Sequence, residues 1–479
     1  MADAVADGPA VAAREGAAGR GSPKEEALHR PLRGFRHGLV AGSLVTGALT
    51  GLLFYSWAYQ VRNDIGAAGI NRPVFWGFYI TNFVFWIGIS HAGTLISAIL
   101  RVTGAEWRRP VTRCAEAITV FALSIGGLFP LIHLGRPWLF WFMIPVPNSR
   151  GLWPNFRSPL VWDMMAITTY LTGSVLYLFL PMIPDFAILR DRAAVESPGT
   201  VRARLYRVLA MGWRGTPQQW HSLEAGIRAM AVIIIPVAVS VHTIVSWDFA
   251  MTLQPMWHST IFGPYFVAGA IYSGIAVLMV AMYVLRRGLH LEEYLTDKVF
   301  NNLGLMFVAF AVIWGYFTFA EHLTVWYGSE PSEMTVFWQR VSGEYGWVFW
   351  LMIVLNLVIP LAVLPFPKGR SALGTAVVGL GVLVGMWIER FLIVIGTLRF
   401  PRLDFTVGTY SPEWVEIGIL IGSFGLFGLL YFLFVQAGPI ISIWEVREGD
   451  HIVAHRLGEP EHVVRVAHAH DAPAPEATT

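Results

Sequence analysis

Near His133 an apolar segment ends in His133, Gly135, Arg136 and Pro137. A proline-broken aromatic stretch follows, and a second apolar segment opens with Asp163 just inside it. Ionisable groups just inside a hydrophobic segment are costly to desolvate and point to function by default. The chemistry open to this pair is proton transfer, because a neutral imidazole and an ionised carboxylate each accept a proton near neutral pH. Asp248 (in VSWDF), Glu321 and His322 (in FAEHLTVWYG), and Glu389 and Arg390 (in WIERF) stand near the ends of three further apolar segments. Oxidising a hydroquinone releases two protons with two electrons, so both hydroxyls need acceptors within reach. A cation such as Arg390 would keep neighbouring carboxylates charged. Trp138, Trp141, Trp153 and Trp162 supply flat walls for a ring, although an interfacial aromatic belt accounts for Trp at such places equally well. His91 and His242 lie deeper and suggest a proton path with Glu389. For a lone intramembrane histidine, a helix–helix hydrogen bond is the plainer role.

The elements that must position these groups are membrane helices. The chain is 55% hydrophobic and only 14% charged, far below the charge content of soluble domains. A span needs about 20 mostly apolar residues. Segments at 37–59, 74–100, 112–134, 159–183, 225–247, 263–287, 299–327, 344–366, 373–395 and 414–436 qualify. The fold class read from them is an all-α polytopic membrane protein of ten helices. A polar N-terminal tail (1–36), a membrane domain (37–436) and a partly disordered C-terminal tail (437–479) divide the chain. Residues 1–36 lack the apolar core of a cleavable signal.

Helices 3 and 7 both end in a His-Leu pair, and helices 5 and 9 both carry an acid near the same end. This weak internal repeat suggests two four-helix bundles, 2–5 and 6–9, with two peripheral helices. One face collects 25 of the 34 Lys and Arg residues, which predicts cytoplasmic termini and an outward-facing GRPW…WPNFRSP loop. Pro137, Pro145, Pro147, Pro154 and Pro159 stiffen that loop into a fixed cap. Arg136, Arg150 and Arg157 suit a docking partner or lipid headgroups.

A lone Cys114 excludes a four-cysteine cluster within this chain, so any iron–sulfur cluster belongs to another subunit. No hydrophobic helix holds two internal histidines, which argues against a b-type haem. The tail histidines His451, His455, His462, His468 and His470 are irregularly spaced for a metal site. Nothing in the net charge of +2 calls for nucleic acid. A solute or ion transporter is the rival reading, but the ionisable residues crowd one face and the inner half reads as nearly bare.

HLGRPW, then WPNFRSPLVWD and the Ile183–Asp185 IPD, together with EHLTVWYG and WIERF, resemble the quinol-interacting membrane subunits of the polysulfide-reductase (NrfD) type. Within that family the resemblance is to the C subunit of alternative complex III, whose F subunit shares the fold; it covers roughly residues 35–440. It implies ten helices, no cofactor bound by this chain, quinol or quinone (menaquinol or ubiquinol) as substrate, and a site on the periplasmic side of a bacterial inner membrane. It also implies an iron–sulfur subunit, a homologous membrane subunit and c-type cytochrome subunits as partners. Members paired with molybdenum oxidoreductases can run electrons the other way. His133 and Asp163 correspond to the family's site histidine and aspartate, and Asp248 and Arg390 to its further acid and arginine. The resulting expectation is that His133 and Asp163 accept quinol protons while Asp248 and Arg390 orient and tune them. Arg136, Trp138, Trp162, Glu321 and His322 would contact the quinol.

Overall fold

In lipid every backbone polar group must be satisfied within the protein, which restricts apolar runs of this length to helices. The computed structural model describes residues 28–29, 32, 37–144, 151, 155–402 and 409–456, and among them there is no strand. Ten helices are long and apolar enough to cross a membrane. In chain order the helices are α1 (His37–Asn63), α2 (Gly77–Val102), α3 (Thr112–His133), α4 (Pro159–Phe179), α5 (Ile183–Glu196), α6 (Val201–Leu209), α7 (Pro217–Ala250) and α8 (Phe262–Leu289). These are followed by α9 (Asp297–Gly328), α10 (Pro331–Val341), α11 (Gly346–Val363), α12 (Ala372–Leu398), α13 (Trp414–Ala437) and α14 (Ile443–Arg456). The spans are α1–α4, α7–α9 and α11–α13, with α5 prolonging α4.

Local sequence explains the boundaries. Proline occupies the first turn of α4, α7 and α10, where a missing N–H costs nothing. Thr216 and Gln219 cap α7 reciprocally, and Ser371 accepts from Gly374 N at the start of α12. In α11 a π-turn at Val354–Val358 loosens the backbone, and the Asn356 carbonyl accepts from Tyr272 Oη at 2.8 Å.

The helix pair α1 and α13 packs along its length. At Gly422 an added Cβ would come within 2.5 Å of Leu53 Cβ, so only glycine lets the two backbones approach this closely. The centre of the molecule is α2, which packs against α3, α7, α8 and α12, while α8 also contacts α9 and α12. α2 is correspondingly the most enclosed span.

The even number of spans brings both ends of the membrane domain to one side, here called the terminal side; the other is the distal side. The reading of the inner half as nearly bare is overturned on the terminal side. Arg113 and Asp185, both buried, form an ion pair at 2.5 Å, and the buried Glu116 accepts from Ser97 Oγ at 2.6 Å. Arg113 and Glu116 lie in the first turns of the 112–134 segment and Asp185 just beyond the 159–183 segment, at margins where a charge does not interrupt an apolar run. Asp185 also accepts from the Ile443 and Trp444 backbone N–H groups and so caps α14. Glu445 pairs with Arg101 at 2.5 Å and Arg109 with Glu448 at 2.7 Å, which fastens α14 across the ends of α2 and α3. The 184–224 connection between two apolar segments holds most of α5, all of α6 and the start of α7.

Candidate functional site

The distal ends of α4 and α7 present matched pairs, Trp162–Asp163 and Trp247–Asp248. The two indoles meet edge to face at 6.1 Å. One residue further along, the carboxyls of Asp163 and Asp248 are neighbours, both buried. Two neighbouring buried carboxylates repel when both are ionised, so a single shared proton is the less costly state. Each aspartate keeps its Oδ1 without a hydrogen-bond partner.

His133 closes α3 on the same side. Its Nδ1 is buried without a partner, and its ring stands 6.3 Å from Tyr79 of α2. Tyr79 Oη donates to Gln60 Oε1, and Gln60 Nε2 donates to the Ile132 carbonyl at 2.8 Å. These contacts tie α1 and α2 to the last turn of α3 and fix where His133 sits. Trp76, Phe249 and Trp257 form an aromatic group next to Asp248: Trp76 stacks on Trp257 at 5.2 Å and meets Phe249 at 5.5 Å.

Arg390 of α12 lies elsewhere. Its ion pair is with Glu389, at 2.7 Å, and not with the aspartates. Its guanidinium lies over the Phe266 ring at 4.9 Å, and Nη2 is buried without a hydrogen-bond partner. Gly269 makes the room, since an added Cβ would come within 3.0 Å of that nitrogen. Glu389 Oε1 accepts from Tyr265 Oη and from Trp314 Nε1, the latter at 2.8 Å. The Arg390 charge acts on His242, whose ring stands 4.4 Å from that of His91. His91 has carbonyls at both nitrogens: Ile87 O at 2.8 Å from Nδ1 and Ala238 O at 2.8 Å from Nε2. Both nitrogens of His242 are buried and unpartnered.

A third group lies beyond this one. Glu321 accepts from Ser259 Oγ at 2.7 Å, and His322 Nδ1 faces the Thr318 carbonyl at 2.8 Å. Thr318 Oγ1 donates to Tyr265 Oη at 3.3 Å, which joins this group to Glu389. Arg340 of α10 donates to Thr397 Oγ1 at 2.6 Å, and its charge acts on Glu321, Glu389 and His322. Arg340 lies outside the spans, and burial holds its guanidinium below its ordinary pKa.

The expected residues therefore divide. The structure brings Asp163 and Asp248 together, with His133 on the same side; it brings His91, His242, Arg390 and Glu389 into a second line through α2, α7 and α12. Glu321 and His322 join that line through α9 rather than the aspartates. Arg136, Trp138 and Trp141 are exposed, so among the described residues the expected ring walls reduce to the half-buried Trp162. Pro145, Pro147, Arg150, Trp153, Pro154, His462, His468 and His470 lie outside the described residues. Among the described residues no three His, Cys, Asp or Glu side chains converge on a point that could hold a metal. Tyr79, Gln60, Tyr265, Trp314 and Ser259 were missed. They are neutral residues in or beside apolar helices and carry no charge anomaly that a hydropathy reading would flag.

The sequence profile described as polysulphide reductase, NrfD, matches residues 66–402. The chain is 25% identical over 425 residues to the membrane C subunit of a provisionally named dimethyl sulfoxide reductase of Halobacterium salinarum, a match covering 80% of this chain and 89% of that one. It is 25% identical over 385 residues to the C subunit of the selenate reductase of Mesobacillus selenatarsenatis, covering 77% and 86% respectively. Similarity to the Hdr-like menaquinol oxidoreductase integral membrane subunit of Archaeoglobus fulgidus runs over 431 residues at 23% identity, covering 86% of this chain and 95% of the relative.

Proposed function

This chain belongs to the polysulphide reductase NrfD family, and from that premise we propose that it oxidises quinol at its distal face and hands electrons to a partner's iron–sulfur cluster. The observation that carries the reading is the buried Asp163–Asp248 carboxyl pair, with His133 and its unpartnered Nδ1 on the same distal side. A quinol set between them loses one proton to the ionised carboxylate and the second to the imidazole, while both electrons leave for the partner. Gln60 and Tyr79 hold the last turn of α3 so that His133 stays in place. The names of three relatives, two reductases and a menaquinol oxidoreductase, support a quinol-linked role.

The finer assignment proposed is the C subunit of alternative complex III, with a periplasmic iron–sulfur subunit, a homologous membrane subunit and c-type cytochrome subunits as partners. The termini then lie in the cytoplasm, as the asymmetry of Lys and Arg supports. Contacts α2·α3, α3·α4, α4·α7 and α7·α2, and then α8·α9, α9·α11, α11·α12 and α12·α8, support a division into two four-helix bundles. The line from His91 to Glu389 is proposed as a proton path. A neutral imidazole has one N–H, so satisfying both carbonyls at His91 needs a second proton on its ring.

The test is isolation of the assembled complex from its native membranes, followed by assay with a soluble menaquinol analogue. Co-purifying iron–sulfur and c-haem subunits with quinol-dependent reduction of those centres is the expected result. A chain that purifies without any redox subunit, and moves a solute across vesicles, overturns the reading in favour of a transporter.

A further inference from the structure

From Ser197 to Leu223 the chain contains no Asp or Glu but holds Arg202, Arg204, Arg207 and Arg214. α6 lies in this stretch. Its buried residues, Ala203 and Tyr206, face the protein, with Tyr206 stacked on Phe186 of α5 at 6.1 Å. Val201, Leu205 and Val208, at helical spacing on the opposite side, are 75%, 45% and 72% exposed, and Met211 just beyond is 69% exposed. The helix is pinned at a definite height. Arg202 donates to the Gln436 carbonyl at the end of α13, at 2.7 Å, and to the Leu32 carbonyl ahead of α1. α13, at 24 residues, is about 36 Å long at 1.5 Å per residue, so its end stands at the edge of a hydrocarbon core about 30 Å thick. Arg204, Arg207 and Arg214 make no ion pair with a carboxylate among the described residues. Following α6, Leu180, Trp213, Thr216, Gln219, Ser222 and Leu223 line a cavity of about 450 Å³ with both polar and apolar walls.

We propose that α6 and this cavity form a docking surface for anionic phospholipid. The apolar stripe enters the upper acyl region, and Arg204, Arg207 and Arg214 bind the phosphates. Charge and height together select this occupant. A short helix with an apolar stripe and flanking arginines, held level with the ends of the spans, has the composition of an interfacial segment. Each unpaired arginine there gains attraction to an anionic leaflet. This inference is independent of the quinol reading and of which side faces the cytoplasm.

The assembled complex is to be reconstituted into nanodiscs of phosphatidylcholine, alone or mixed with phosphatidylglycerol. Mass spectrometry then counts the phospholipid retained per protein after a detergent wash. The wild-type protein should retain phosphatidylglycerol in preference to phosphatidylcholine, and the triple variant Arg204→Gln, Arg207→Gln, Arg214→Gln should lose that preference by on the order of a hundredfold, at roughly 1 kcal/mol per arginine. In parallel, a nitroxide at Val208→Cys in a Cys114→Ser background should collide with oxygen and be shielded from a water-soluble nickel chelate. Equal retention by wild type and variant overturns the proposal. So does a label open to the chelate, which puts α6 in water, or one shielded from both relaxants, which means that a protein partner covers the stripe.

Discussion

The imidazoles of His91 in α2 and His242 in α7 stand 4.4 Å apart at their centroids, yet only His91 is hydrogen bonded. The two rings therefore differ in what they hold. Replacing His242 by Leu removes no hydrogen bond, whereas His91→Leu removes the one that a neutral ring donates, at about 1 kcal/mol. His91→Leu should lower the Tm of the detergent-solubilised complex measurably more than His242→Leu. If the pair carries protons, both variants should also reduce proton translocation per quinol, read with a pH dye in proteoliposomes. Unchanged translocation in both variants would remove this pair from the path.

Asp163→Asn and Asp248→Asn each leave one side chain that can donate to the remaining carboxyl, so assembly should survive. Neither amide accepts a proton at neutral pH, and loss of a proton acceptor costs about 10²–10⁴-fold in rate. Quinol turnover of the assembled complex should fall within that range for both variants. Near-normal turnover of either one takes that aspartate out of the accepting set.

Gly269→Ala places a methyl group 3.0 Å from Arg390 Nη2 and 3.2 Å from the Met386 methyl. The guanidinium should shift off Phe266 while the complex still assembles. A quinol rate close to wild type, combined with altered proton translocation, is the expected split. Equal loss of both activities would show that Arg390 serves the distal chemistry directly.

The fastening of α14 should depend on pH. Burial alone would raise the Glu445 carboxyl, but Arg101 and Arg108 beside it bring it from 4.5 down to about 2. A depressed carboxylate contributes stability above its unfolded value, and that contribution is lost as pH falls from about 4.5 towards 2. Protease protection of the 438–456 region should therefore persist at pH 5 and fail at the acid end of this window. Glu445→Ala, which breaks a buried pair, should cost about 3 kcal/mol and remove protection at neutral pH. Retained protection in that variant would mean that the Asp185 cap and the Arg109–Glu448 pair hold α14 without Glu445.

Sidedness can be read with single cysteines in a Cys114→Ser background. A membrane-impermeant thiol reagent applied to intact cells should label Phe156→Cys, on the distal side, and not Thr200→Cys. Labelling confined to position 200 would invert the topology and end the periplasmic quinol proposal.

The ten spans were legible in the sequence because crossing lipid is a one-dimensional requirement: about 20 consecutive apolar residues with few charges. The turns at Pro159, Pro217 and Pro331 were also local. His133, Asp163, Asp248, Glu389 and Arg390 stood out because each charge breaks an apolar run. Which of these groups meet was not legible, since that depends on how each helix is rotated about its axis and which neighbour it packs against. Only the folded chain set Asp163 against Asp248, drew Arg390 to Glu389 and His242, and brought in neutral partners such as Tyr265 and Trp314. Arg113 and Asp185, 72 positions apart in sequence, became a buried pair only when the fold brought the starts of α3 and α5 within side-chain reach. Hydropathy records the cost of putting one side chain into lipid; tertiary packing supplies the second side chain that offsets it.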